Sequence, residues 1–165
     1  MKIMNTGGTF NKRYDPLTGE LEVPYDNEAI EEIVETFAYD VEIAGMLYMD
    51  SLQMTQSDRD QLADIIDADD EEIYVIVHGT DTMDLTAKTL AEMLEEDDED
   101  ERVIVLTGAM TPYSIDKTEA SVNLGMALGY AATNPPPGVY ICMSGIIAPY
   151  DRIRKNRAEG IFEIV

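Results

Sequence analysis

Tryptophan is missing from this sequence, and phenylalanine occurs only three times. A core must therefore be made from aliphatic residues, methionine and tyrosine, which a hydrophobic fraction of 45% can supply. Cysteine is limited to Cys142, so no internal disulfide can form, and such a chain suits a reducing compartment. Cys142 sits in the apolar run Val139-Tyr140-Ile141-Cys142-Met143 and reads as a buried thiol, since a reactive one needs a basic partner. Histidine is limited to His78. One His and one distant Cys cannot assemble a zinc site, so no metal is expected, and a Ser-His-Asp arrangement has little to draw on. No stretch is apolar and long enough to cross a bilayer, and Met1-Lys2-Ile3-Met4-Asn5 opens no run of signal-peptide length. A cytoplasmic protein is the expectation.

Positive charge is also scarce. Eleven basic side chains face 34 acidic ones, for a net charge of −23. Glu95 to Glu101 is an unbroken acidic run, and Asp67 to Glu72 is nearly another. A surface of this sign repels phosphate backbones and anionic lipid, which argues against nucleic-acid and membrane partners. The runs lack the interleaved ligand spacing of a calcium loop and read as solvated segments that confer solubility. At 165 residues the chain is long enough for one sizeable core, so a single domain over 1–165 is expected.

Short apolar runs alternate with amphipathic segments. Ile73–Val77, Val103–Leu106 and Val139–Met143 are apolar at consecutive positions, as in strands covered on both faces. Ile3-Met4 and Met46–Met49 are weaker strand signals. Ile30, Ile33, Val34 and Phe37 repeat at helical spacing, as do Leu62, Ile65 and Ile66 behind the capping segment Thr55-Gln56-Ser57-Asp58. Met83, Ala87, Leu90, Ala91 and Leu94 form a third stripe, and Ala120, Leu124, Ala127, Leu128 and Ala131 a fourth. Alternation of this kind predicts an α/β fold: three αβα layers around a mainly parallel sheet, flavodoxin-like in architecture.

In such a sheet, ligands bind beyond the carboxyl ends of the strands. Three predicted strands run into Thr6-Gly7-Gly8-Thr9, His78-Gly79-Thr80-Asp81-Thr82 and Thr107-Gly108-Ala109-Met110-Thr111. Glycines let backbone approach a ligand closely, and the hydroxyls are candidate nucleophiles. Taken singly, each Gly-Thr pair also reads as a turn former. No phosphate-loop pattern is present. Residues 152 to 157 carry four of the eleven basic side chains. They read equally as a local positive field around a site and as a solvated basic turn.

These blocks resemble those of the L-asparaginases, in the family's order and at similar spacing. The likeness extends to Asp50-Ser51, to Asn123-Leu124 and to Asp151-Arg152-Ile153-Arg154-Lys155, so it covers essentially the whole chain as the family's N-terminal domain. The resemblance implies roles. Thr9 matches the nucleophile that forms an acyl-enzyme. Thr80, Asp81 and Lys155 match a second triad that tunes the hydroxyl and a water. Asp81 would hold the substrate α-ammonium and Ser51 its α-carboxylate. The N–H groups of Gly8 and Thr80 would form the oxyanion hole, and the Ala109 carbonyl would accept from the departing amide. Tyr14 is the candidate for the tyrosine that orients the nucleophile, ahead of Tyr25.

The implied activity is hydrolysis of L-asparagine to aspartate and ammonia without a cofactor. Deamidation of a related amide, or amino-acid sensing without turnover, are the alternatives. The sequence departs from the family in two places. Full-length asparaginases carry a C-terminal domain that completes the neighbouring subunit's site; its lack here implies a homo-oligomer, dimer or tetramer. After Ser51, Leu52-Gln53-Met54 stands where the family has a polar residue and then an acid or Asn.

Overall fold

The computed structural model describes every residue except 39, 97 and 98. In chain order, β1 (Lys2–Gly7) leads through a 3₁₀ turn, Thr9–Asn11, into a hairpin of β2 (Arg13–Asp15) and β3 (Glu20–Glu22). There follow α1 (Glu28–Val34), β4 (Glu42–Met49), α2 (Gln56–Asp67), β5 (Ile73–Val77), α3 (Met83–Leu94), β6 (Val103–Thr107) and α4 (Lys117–Ala131). The chain ends with β7 (Gly138–Met143), β8 (Ile146–Pro149), β9 (Ile153–Asn156) and β10 (Ile161–Ile164).

The central sheet has the order β4-β1-β5-β6-β7-β8, parallel except for β8, which runs antiparallel to β7 at the edge. Consecutive residues of its strands serve opposite faces. Met4, Tyr74, Ile76, Ile104, Leu106, Ile141 and Met143 pack with α2 and α3. Ile3, Val75, Val77, Val103, Val105, Tyr140 and Cys142 pack with α1 and α4. Two-sided burial explains why these strands are apolar without alternation. The small residues of α4 face the sheet, where Ala120, Leu124, Ala127, Leu128 and Ala131 are buried. A capping box starts α2: Thr55 accepts from the Asp58 N–H while the Asp58 carboxylate accepts from the Thr55 N–H.

β4 is longer than its sequence signal because it is an edge strand, with one side unpaired and a mostly half-buried pattern. The strands from 146 to 164 carry no sequence signal of the expected kind. Each is four residues long, and β9 is charged at adjacent positions. They are fixed by tertiary contacts: Ile153 and Phe162 are buried in the core on the α2–α3 side. The expected acidic loop at 95–101 includes residues 97 and 98, which lie outside the described part.

With β4 counted second among the parallel strands, the order is 2-1-3-4-5, and it reverses between β1 and β5. A crevice at that reversal, beyond the strand carboxyl ends, is where this topology places a ligand. The loops after β1 and β5 are Gly7-Gly8-Thr9 and His78-Gly79-Thr80-Asp81.

Candidate active site

The three strand-end loops pack backbone against backbone, and glycine makes that contact feasible. A Cβ on Gly8, whose φ is +74°, would lie 2.4 Å from both N and Cα of Gly79. On Gly79 it would lie 2.5 Å from the Ser51 side chain, and on Gly108 2.4 Å from the His78 carbonyl oxygen. Thr9 and Thr80 each follow the Gly8–Gly79 contact by one residue, so the two hydroxyl-bearing loops meet at the switch point.

Lys155 reaches the same place from β9. In the hairpin it stands opposite Phe162, on the face that also carries Ile153. A shift of one residue would aim Arg154 inward instead. The stem of Lys155 is covered, leaving the side chain 13% exposed. Its Nζ donates to Thr80 Oγ1 at 2.8 Å and to Asp81 Oδ1 at 3.0 Å. Arg157 donates through Nη1 to the same Oδ1 at 2.5 Å and through Nη2 to the Asp81 backbone oxygen at 2.7 Å. Partial burial pushes the Asp81 carboxyl up, but the two cations outweigh it and hold it below its ordinary value of 3.8. Asp50 is likewise lowered against burial, by its bond to Lys12, by the Leu52 N–H and by the field of Lys155. Basic and acidic groups thus alternate along the rim: Lys12, Asp50, Lys155, Asp81, Arg157.

The structure brings Thr80, Asp81 and Lys155 into direct contact, whereas Thr9 is linked to them through the neighbouring Gly8–Gly79 backbone approach, and no hydrogen bond joins its hydroxyl to them among the described residues. Of the other expected groups, some are engaged within the protein and some stay open. The Gly8 N–H, expected to face a substrate oxyanion, donates to the Met49 carbonyl at 2.9 Å. Positive φ at Gly7 and Gly8 folds the loop back onto the end of β4. The Thr80 N–H makes no backbone hydrogen bond among the described residues. Ser51 is 2% exposed, and its Oγ accepts from the Asp81 N–H at 3.3 Å rather than facing outward. Ala109 is fully buried, and Asn123 Nδ2 donates to the preceding Gly108 carbonyl at 2.9 Å. Tyr14 is 65% exposed on β2, and no hydrogen bond joins it to Thr9, Thr80 or Lys155. The β2–β3 hairpin buries no side chain that could seat Tyr14. Tyr25 is more exposed still, against Tyr48.

His78 is fully buried and hydrogen-bonded within the interior. Its Nδ1 lies 2.7 Å from the Gly79 carbonyl oxygen, which can only accept, so Nδ1 carries the proton. Nε2 then accepts from Thr86 Oγ1 at 2.8 Å. Complete burial pulls its pKa down to about 4, so the ring is neutral.

Two supporting residues escaped sequence reasoning. Arg59 of α2 is 4% exposed and donates to Thr86 Oγ1, the Met54 carbonyl and Thr82 Oγ1, tying α3 to the Ser51 loop. Glu119 of α4 accepts from the N–H groups of Met110 and Thr111 at 2.9 and 3.0 Å. Arg59 is the only basic residue of α2 and lies at helical spacing with Leu62, Ala63 and Ile66, and Glu119 is the only acid of α4, but neither signal tells which loop the side chain ties down.

A doubly wound α/β domain with a Thr–Lys–Asp cluster at its switch point is the class that fold and site define. The chain belongs to the asparaginase family: the model of the asparaginase N-terminal domain matches residues 1–162. L-asparaginase 1 of Escherichia coli K12 is 35% identical over 114 residues, which is 68% of this chain and 33% of that protein. A glutamyl-tRNA(Gln) amidotransferase subunit of Methanococcus vannielii is 33% identical over 166 residues, 98% of this chain and 37% of that protein. Among solved structures, the thermostable L-asparaginase from Thermococcus kodakarensis superposes on all of this chain and 51% of its own, with TM-score 0.83 at 26% identity. The chain therefore spans about a third of the curated relatives' length and about half of the solved one.

Proposed function

We propose that this chain is an amidohydrolase that cleaves the side-chain amide of L-asparagine or a closely related acid through a threonine acyl-enzyme. One observation carries the reading: Lys155 Nζ touches both Thr80 Oγ1 and Asp81 Oδ1 beside the Thr9 loop. A threonine hydroxyl is a weak nucleophile near neutral pH and needs a positioned proton relay. Because Thr80 Oγ1 accepts from Lys155, its own proton is directed to a further partner, the nucleophile or a water held between the loops. In the first half-reaction Thr9 Oγ1 bonds to the amide carbon, the C–N bond breaks, and the Thr9 proton leaves with ammonia. In the second, water attacks the ester, releasing the carboxylic acid and restoring the hydroxyl. Asp81 orients Lys155. The reaction uses no cofactor.

A homo-oligomer, dimer or tetramer, is the assembly proposed for this chain. A second reading rests on the match to the amidotransferase subunit over nearly the whole chain: amide hydrolysis here would supply ammonia to another subunit. Binding of an amino acid without turnover is the non-enzymatic alternative.

The test is ammonia release across asparagine, glutamine and simple β-amides, with Thr9→Ala as control. Expected is release from asparagine or a near relative by the wild type, and a loss of at least about 10³-fold in the folded variant. Binding of aspartate with no ammonia from any amide would favour the sensor and overturn the enzyme.

A further inference from the structure

Arg157 takes no part in the hydroxyl relay, yet it makes as many bonds at the site as Lys155. Its guanidinium grips Asp81 twice, at Oδ1 (2.5 Å) and at the backbone oxygen (2.7 Å). Lys155 occupies the same Oδ1. One carboxylate is therefore shared by two cations, and the cluster carries a net positive charge inside a molecule of charge −23. An α-ammonium arriving at Asp81 would be a third cation on a single anion. A ligand with a carboxylate and no ammonium would meet instead a planar fork of N–H donors suited to carboxylate geometry. The Arg157 side chain is 62% exposed, so it is free to turn from Asp81 toward such a ligand.

We propose that Arg157 is a specificity-determining residue, which turns the Asp81 corner away from α-ammonium groups and toward the free carboxylate of a dicarboxylic acid monoamide such as succinamate. The inference rests on the amidohydrolase reading for the nature of the site. Exposed ion pairs often contribute little, so the test compares two ligands on one protein and does not depend on stability.

The measurement is calorimetric affinity of the whole chain, wild type and Arg157→Gln, for succinate and L-aspartate, the products of the two competing amides. Expected is wild-type affinity for succinate at least equal to that for aspartate. Arg157→Gln should shift the ratio roughly tenfold toward aspartate, Arg157→Lys by less, and about 0.5 M salt should shrink the difference. A ratio that moves by less than twofold, or failure of the wild type to bind either diacid, overturns the inference. Ammonia release from succinamate and asparagine is read separately. Its absence with the affinity pattern intact would overturn the hydrolase reading and leave the assignment of Arg157 standing. With turnover, Arg157→Gln should move KM for the two amides in opposite directions.

Discussion

Lys155 has an aliphatic stem shielded opposite Phe162 and an ammonium shared between a hydroxyl and a carboxylate. Lys155→Met keeps the stem and removes the charge. It should lower kcat about 10²- to 10³-fold while circular dichroism and melting temperature stay near wild type; an active variant would remove lysine from the chemistry. His78 makes a separate prediction about stability. Its folded pKa of about 4 lies below the ordinary 6.5, so between those values the unfolded chain binds the extra proton. Stability should therefore fall as pH drops from 6.5 toward 4, by up to about 3 kcal/mol, and be unaffected above about 7. Asp50 and Asp81, held below 3.8, weaken the fold only at lower pH still. Urea unfolding at about pH 7 and about pH 5 tests this, and His78→Asn, which keeps a side-chain donor, should flatten the slope.

The β9–β10 hairpin delivers Lys155 to the site, and its hold on the body is Ile153 and Phe162, both buried. Phe162→Ala should cost about 3 kcal/mol from the cavity it leaves. It should also lower kcat by roughly 100-fold by loosening the lysine, whereas Phe162→Leu should recover most of both. A stability loss without a rate loss would show that Lys155 is positioned by Asp81 alone. The β2–β3 hairpin is the opposite case, having no buried side chain, so Tyr14 has nothing to seat it. Sequence periodicity finds elements that carry a buried stripe, which is why β5, β6, β7, α3 and α4 were legible. Short hairpins held by two side chains, or by none, leave no such stripe.

Across the molecule, charge is polarised. The acidic residues 67–72 and 99–101 gather around Arg102 before β5 and β6, at the edge opposite the site. Lys2 and the N-terminal ammonium pair with Asp69 and Glu71 there, but they neutralise only a fraction of the excess. Net self-repulsion should outweigh these pairs. Raising NaCl from about 20 mM to about 0.5 M shortens the screening length several-fold and should raise the melting temperature by roughly 5 °C. A melting temperature that falls with salt would mean that local ion pairs dominate.

The alternation of the central parallel strands with helices, the glycine-bearing strand ends and the hydroxyls they present follow from the sequence alone. Hydrophobic period and backbone freedom are local properties, readable within a few residues of each position. Which N–H groups are left for a ligand was decided only by the tertiary structure, and so were the burial of Ser51 and the convergence of Lys155 and Arg157 on Asp81. Those depend on register, loop contact and the choice between competing partners 30 to 76 residues apart in the chain, and no local pattern encodes that choice.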